Sequence, residues 1–356
     1  MDACVFNVFL KSETLDINCL WISLGLQAVT MKALVLEGIQ KLRVADIKMP
    51  VGNDNETLLQ VLYGSVCRTD AKMWAQGQRD LVLPRVLGHE ICGQIPDSHE
   101  KFVVWPASAC HNCYYCENGA ENLCGNIQII GFHRDGGFAQ YIKVPNESLI
   151  KVPATVPPEI ACMTELLAAA INAVEQADVR ENQKVLIYGG GPAGLLLGLV
   201  CRYLEAIPLM VEKNHEKIKL GAQFCKEVGI TVVDTVAAEN SDNFNVVINA
   251  APDPSILADG IAKLTAGGKY CIFSGFTKNI NITTDLLNEI HYRQLTVVGA
   301  YGNTRRQMET ALGILESNAR AVSLLIHEII KLEDVPSVLP EILNGQVMKY
   351  VVDLQK

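Results

Sequence analysis

Four cysteines fall within fifteen residues in CHNCYYCENGAENLC, positions 110–124. Their spacing, C-x2-C-x2-C-x7-C, suits disulfides, a redox pair or a metal cage. Twelve cysteines are scattered through 356 residues, whereas small secreted disulfide scaffolds are loop-rich and typically under about 100 residues. Asp2, Glu13 and Asp16 precede the short apolar run around Leu20, where a signal peptide would need a basic segment. The expected compartment is the cytosol, where thiols stay reduced and clustered cysteines more often ligate metals or act catalytically. The two-residue spacings let a short loop wrap one ion, and the longer return supplies the last corner of a tetrahedron. Cys110, Cys113, Cys116 and Cys124 are therefore expected to hold a structural zinc: four thiolates and no open position. A closed site cannot bind substrate, so any chemistry must lie elsewhere.

Other residues offer it. Cys67 lies in GSVCRTDAKMW, His89 and Glu90 in PRVLGHEICG, and Glu165 in ACMTELLAAAINAV, at the start of an expected helix. Taken singly, each is more often a packed or satisfied side chain than a ligand. Further on, QKVLIYGGGPAGLLLGLVCRYLEAIPLMVEKNHEK reads as strand, glycine turn, helix, strand. Gly189, Gly191 and Gly194 fit G-x-G-x-x-G: one glycine for the tight turn, one for close approach to a pyrophosphate, one for helix–strand packing. The helix that begins around Pro192 points its N-terminus at the phosphates. Glu212 follows 21 residues after Gly191. A carboxylate there accepts from the adenine ribose hydroxyls and repels a 2'-phosphate, so NAD is expected over NADP, although Lys213 and Lys217 soften that repulsion.

The order GSVCRTD, GHE, four-cysteine lobe, DGGFAQYIKVP, TELLAAAINAV resembles the zinc-dependent medium-chain dehydrogenases, the family of alcohol, sorbitol and threonine dehydrogenases. The resemblance covers residues 31–356. It implies two zinc ions, one structural in the lobe and one catalytic in a cleft. Cys67 and His89 match two catalytic ligands. Glu90 matches a carboxylate that ligates or sits just behind the metal, and Glu165 matches the third ligand position, which polyol dehydrogenases fill with Glu. Cys92 and Cys162 are nearby thiols expected to be buried and apolar. Asp70 matches a carboxylate that orients the ligating histidine. Thr69 matches the hydroxyl that accepts the alcohol proton, since a hydroxyl can accept and donate at once. Many relatives continue that relay with a histidine where this chain has Lys72. Lys217 matches a basic position common in the family.

The elements that must position these groups follow. The length suits about two domains of roughly 150 residues. Strands alternating with helices from residue 184 onward imply a doubly wound parallel sheet. The family layout is a GroES-like β-barrel catalytic domain over residues 31–164 and 302–356, and a Rossmann nucleotide-binding domain over 165–301. Residues 1–30 form an N-terminal extension to which no function is assigned; its apolar run CLWISLGLQAV is too short to span a bilayer. Two further departures from the family pattern are a short hairpin over 91–102 and T-E-L-L in place of E-P-L around Glu165. The net charge of −9 carries no electrostatic footprint for nucleic acid, and no apolar run reaches the 18 residues of a membrane helix.

Together these readings describe an enzyme that oxidises a secondary alcohol with NAD. Glu at position 165 and the segment NEIHYRQLTVVGA point to polyol, sugar or cyclitol substrates, with threonine as the alternative. A non-catalytic nucleotide-binding regulator on the same fold predicts lost ligands, yet Cys67, His89 and Glu165 are all present. The family also implies a homodimer or homotetramer, with a small-molecule alcohol as partner.

Overall fold

The computed structural model describes residues 29–234 and 243–356, so the N-terminal extension, apart from Val29 and Thr30, lies outside the described residues. The strand Thr30–Gly38 pairs antiparallel with Lys41–Lys48 and with the short strand Arg85–Val86. A larger sheet is organised around Glu56–Ser65. One edge of this strand takes Tyr141–Pro145 along its first half and Lys349–Asp353 along its end; the other takes Glu90–Gln94. Lys101–Val104 and Leu149–Lys151 extend the sheet on one side, and Ile326–Lys331 extends it on the other. The short segment between Gln94 and Lys101 closes an antiparallel hairpin. The chain thus returns after residue 325 to complete the sheet begun at residue 56, which places Lys349 beside the end of the Glu56–Ser65 strand.

The second sheet has six parallel strands. In spatial order they are Thr231–Val233, Ile207–Val211, Lys184–Tyr188, Phe244–Asn249, Leu264–Ile272 and Thr296–Gly299. Numbered along the chain this is 3-2-1-4-5-6, the doubly wound order, with its reversal beside Lys184–Tyr188. That strand reads KVLIY and is buried from Val185 to Tyr188, as a central parallel strand covered on both faces must be.

One apolar core joins the two sheets. Cys92, Val103 and Trp105 from the first share a buried cluster with Val185 and Ile187 from the second, through Leu167, Ile171 and Val174 of the helix Thr164–Gln176. Ala168, Ala170 and Ala173 keep that helix thin, and it packs closely on the helices Pro192–Tyr203 and Arg305–Ser323. Fully burying a side chain such as Leu167 or Ile171 contributes about 1.5–3 kcal/mol, so Glu165 sits on a helix whose position is strongly fixed. Among the described residues, no helix is long and apolar enough to cross a membrane.

Candidate active site

Every described cysteine is free. In the lobe, the sulfurs of Cys110, Cys113, Cys116 and Cys124 all lie within 4.8 Å of one another. Cys113 to Cys116 and Cys110 to Cys124 are each 3.5 Å, and Cys110 to Cys116 is 3.9 Å. A tetrahedron with metal–sulfur bonds of about 2.3 Å has edges of about 3.8 Å, so the sulfurs are spaced to fit zinc. The loop turns through left-handed backbone at His111 and Gly119, and the Cys110 amide donates to Cys124 Sγ.

The second cluster is assembled by strand register. Ser65 pairs with Glu90 across the sheet, so Cys67, just past the end of one strand, meets His89 and Glu90 at the start of the other. Donor atoms of Cys67, His89 and Glu90 lie within 4.8 Å of one another. Cys67 is the N-cap of the helix Arg68–Gln76, and its amide donates to Asp70 Oδ2 at 2.9 Å. Asp70 is fully buried; its Oδ1 accepts from the Gly88 amide and lies 3.4 Å from His89 Nδ1. Nδ1 is buried and makes no hydrogen bond, because the Asp70 contact is near enough for charge but not aligned. Burial opposes charging of His89, yet Asp70 and then Cys67 push its pKa well above the usual histidine value. A thiol, an imidazole and a carboxylate at this spacing are a donor set that suits zinc.

Glu90 is not a free carboxylate. It accepts from the buried Lys349 Nζ at 2.8 Å through Oε1 and contacts it at 2.6 Å through Oε2, and the Ser65 hydroxyl also donates to Oε2. Burial lowers the Lys349 pKa, but Glu90 overrides this and raises it. Glu165 stands apart from the three-residue cluster. Its Oε1 accepts from Asn303 Nδ2 at 2.7 Å. Glu165 keeps part of its surface open, but the protein around it lifts its carboxyl to about 7; His89 opposes the rise and Glu90 adds to it. Cys162 is buried, its thiol donates to the Glu159 carbonyl at 3.2 Å, and burial pushes it well above the usual thiol value. Thr69 is half-buried, and its hydroxyl makes no hydrogen bond among the described residues.

Glu165→Ala should lower bound zinc or turnover by about 10- to 100-fold, the usual cost of losing a ligand's close support. Cys162→Ala should change both by less than about threefold, since that buried thiol donates its hydrogen bond to the Glu159 carbonyl and is not among the clustered metal-ligating atoms. Elemental analysis and initial rates decide between them; the reverse ranking would mean that Cys162 holds the metal.

Lys349, Ser65 and Asn303 escaped the sequence reading. Only Lys349 left a signal: a lone lysine in the apolar strand KYVVD, every residue of which is buried.

At the nucleotide end, Gly189 has φ +107° and follows directly on the first strand. Gly191 is the N-cap of the helix Pro192–Tyr203, with Pro192 at the first turn where no amide is required. A Cβ on Gly194 would meet the Gly189 carbonyl oxygen at 1.8 Å, whereas one on Gly191 would meet nothing within 4 Å. Gly194 thus permits close packing, and Gly191 leaves open space in front of the helix. Glu212, just beyond Ile207–Val211, accepts from the Gly190 amide at 2.7 Å and the Asn214 amide at 2.8 Å. Lys217 Nζ is 3.8 Å from it. Glu212 therefore also ties the glycine turn to the second strand, a role the spacing did not reveal.

Residues 53–154 match the alcohol dehydrogenase GroES-like domain family. The chain is 26% identical over 329 residues to an uncharacterised zinc-type alcohol dehydrogenase-like protein of Haemophilus influenzae, covering 88% of this chain and 95% of that one. It is 34% identical over 175 residues to the L-galactonate-5-dehydrogenase of Escherichia coli, covering 47% and 51%. Among solved structures, one described as a zinc-binding dehydrogenase from Sinorhizobium meliloti bound to NADP superposes with a TM-score of 0.82 at 26% identity, covering 91% of this chain and 99% of that one.

Proposed function

Because the chain belongs to the zinc-dependent medium-chain dehydrogenase/reductase family, we propose that it oxidises a secondary alcohol of polyol, sugar or cyclitol type with NAD. At the coarser level it is an alcohol-dehydrogenase-type oxidoreductase that uses zinc and a nicotinamide dinucleotide on a small molecule. The observation that carries this reading is the meeting of Cys67, His89 and Glu90 donor atoms, two residues along the chain from Thr69, whose hydroxyl makes no hydrogen bond among the described residues. The relative whose name specifies a sugar acid, L-galactonate, agrees with a polyol-type substrate.

Cys67 and His89 would hold the catalytic zinc, with Glu90 or Glu165 completing its ligands; Cys110, Cys113, Cys116 and Cys124 would hold the structural one. Zinc, when bound, supplies the Lewis acidity that lowers the pKa of an alcohol hydroxyl, and NAD accepts the hydride. The Thr69 hydroxyl takes the substrate's hydroxyl proton and passes it outward. Asp70 fixes the Cys67 amide and faces the His89 ring. Lys349 balances the Glu90 charge, so the pocket holds one fewer uncompensated negative group. Gly191 and Pro192 open the helix end to the pyrophosphate, and Glu212 faces the adenine ribose. Overall, alcohol and NAD+ give ketone, NADH and one proton.

NAD is preferred because both basic neighbours of Glu212 already face acids: Lys213 pairs with Asp253 at 3.4 Å, and Lys217 lies near Glu212 itself. Glu212→Ala should narrow the preference for NAD over NADP by roughly 10-fold, the effect of removing one like-charge contact. Steady-state constants with both cofactors measure this, and a wild type that uses NADP better would overturn it. The substrate reading is tested by zinc analysis and a panel of hexitols, sugar acids, cyclitols and threonine. Oxidation of none of them would defeat it, and a selective response to threonine would replace it.

A further inference from the structure

The strand Thr30–Gly38 is apolar on both faces. Leu34 and Leu36 join the core of the larger antiparallel sheet, with Leu59 and Ile142. Met31, Ala33 and Val35 point the other way, because side chains alternate along a strand. Opposite them in the pairing stand Ile47 and Ala45 on one side and Val86 on the other. Ala139 bridges to Ala33, and Tyr141 completes this second apolar face. An apolar sheet face must be buried against another layer. The elements that pack closely on this strand are its two partner strands and the turn Leu332–Asp334, whose Leu332 belongs to the first core. Over the second face lies an open groove of about 220 Å³, whose wall also includes Lys48, Pro50, Arg134, Asp135 and Lys143. Ile47 and Tyr141 are only half-buried there. An apolar cavity of about 150 Å³ already holds a benzene ring, so this groove has room for large aliphatic side chains.

The groove opens where the described chain begins. The Val29 carbonyl accepts from the Met49 amide at 2.9 Å, between Lys48 and Pro50 of the groove wall. Val29 and Val51 are 56% and 53% exposed at this end of the sheet. Residues 1–28 lie outside the described residues, but their sequence fits the groove in three ways. Leu20, Ile22, Leu24, Leu26 and Ala28 alternate with Trp21, Ser23, Gly25 and Gln27, the period of an extended segment with one apolar face. The length suffices: about four residues reverse the chain, and Leu20–Gly25 then spans about 20 Å at 3.3–3.6 Å per residue. The charges are complementary. Asp2, Glu13 and Asp16 stand against Lys11 in the residues before Leu20. In the wall, Arg134 and Lys143 share the one carboxylate of Glu56, Asp135 is paired with Arg85, and Lys48 has no ion pair among the described residues. We propose that the N-terminal extension docks on its own chain: Leu20–Gly25 crosses this face, with Leu20, Ile22 and Leu24 filling the groove and the acidic stretch before them meeting the basic wall. No groove residue belongs to the Cys67–His89–Glu90 cluster, so the docking holds whatever the substrate.

The test uses the full chain with the photo-crosslinker benzoylphenylalanine in place of Lys48. After irradiation, peptide mapping should join position 48 to residues 20–26 of the same chain. Mixing with an isotope-labelled copy separates the sources: a crosslink to the labelled chain would place a second copy on the face and overturn the proposal, and so would a crosslink that never reaches the extension. Adding Leu24→Asp, which sets a charge against the apolar groove, should abolish the crosslink. In the otherwise natural chain, Leu24→Asp should lower the melting temperature by about 2–6 °C, the scale of losing one buried apolar contact set. It should also raise binding of the apolar dye ANS severalfold, with zinc content unchanged. Deletion of residues 2–28 should reproduce both effects. If the shortened chain does not fold, Leu24→Asp and the crosslink still decide. An unchanged melting temperature and dye binding in Leu24→Asp would defeat the proposal.

Discussion

Cys113→Ser should reduce the zinc content from two ions per chain to one and should unfold the lobe around residues 110–124. The reason is that this lobe has little else to hold it. The short helix Tyr114–Glu117 contains no buried residue, and neither does the single turn Glu121–Leu123. Tyr114, Tyr115 and Leu123 are exposed, and Cys124 is the one ligand that is itself buried. A loop without an apolar core depends on its cross-link, and zinc binding contributes on the order of 10 kcal/mol to small folding units of this kind. Loss of the Cys113 thiolate leaves Cys110 with Cys116 at 3.9 Å and Cys124 at 3.5 Å and no fourth thiolate to close the tetrahedron. The expected readings are one zinc by elemental analysis, a lowered melting temperature, and proteolysis beginning within the lobe. Turnover of the molecules that remain folded should fall much less than stability, because no residue of the lobe belongs to the Cys67–His89–Glu90 cluster. A wild type with one zinc, or a variant that keeps both ions, would remove the structural site.

Thr69→Val should cut turnover by a factor of about 10² or more, the scale of a lost general acid–base step. Valine keeps the shape of threonine and removes only the hydroxyl. That hydroxyl has no hydrogen-bond partner among the described residues, and the start of the helix is held by Asp70 and Cys67, so the fold loses little. Zinc content and NAD affinity should stay near wild type, which separates this defect from loss of a ligand. Rates with a good alcohol substrate, together with metal analysis and cofactor titration, make the comparison. Full turnover in Thr69→Val would show that the proton leaves by another route.

How far the sequence reaches depends on how far along the chain each interaction extends. The four lobe cysteines lie within fifteen residues, so their spacing alone limits what they can enclose. The glycine turn is similarly local: the clash that bars a side chain at Gly194 is with Gly189, five residues earlier. Alternating strands and helices likewise carried the doubly wound sheet, because each element's apolar pattern is written in its own residues. The surroundings of the catalytic cluster are of another kind. Glu90 meets Lys349 across 259 residues, and Glu165 meets Asn303 across 138. The first contact exists because the chain leaves the second sheet and returns to the first, laying Lys349–Asp353 against Glu56–Ser65; the second joins the start of the helix Thr164–Gln176 to the turn before the helix Arg305–Ser323, which packs on it. Nothing near Glu90 in the sequence states that its charge is balanced, and nothing near Glu165 states what holds it. A motif names the side chains that can do chemistry, since covalent spacing fixes their reach. Their charge state and orientation are fixed by buried partners, and only strand pairing and core packing decide which distant residues those partners are.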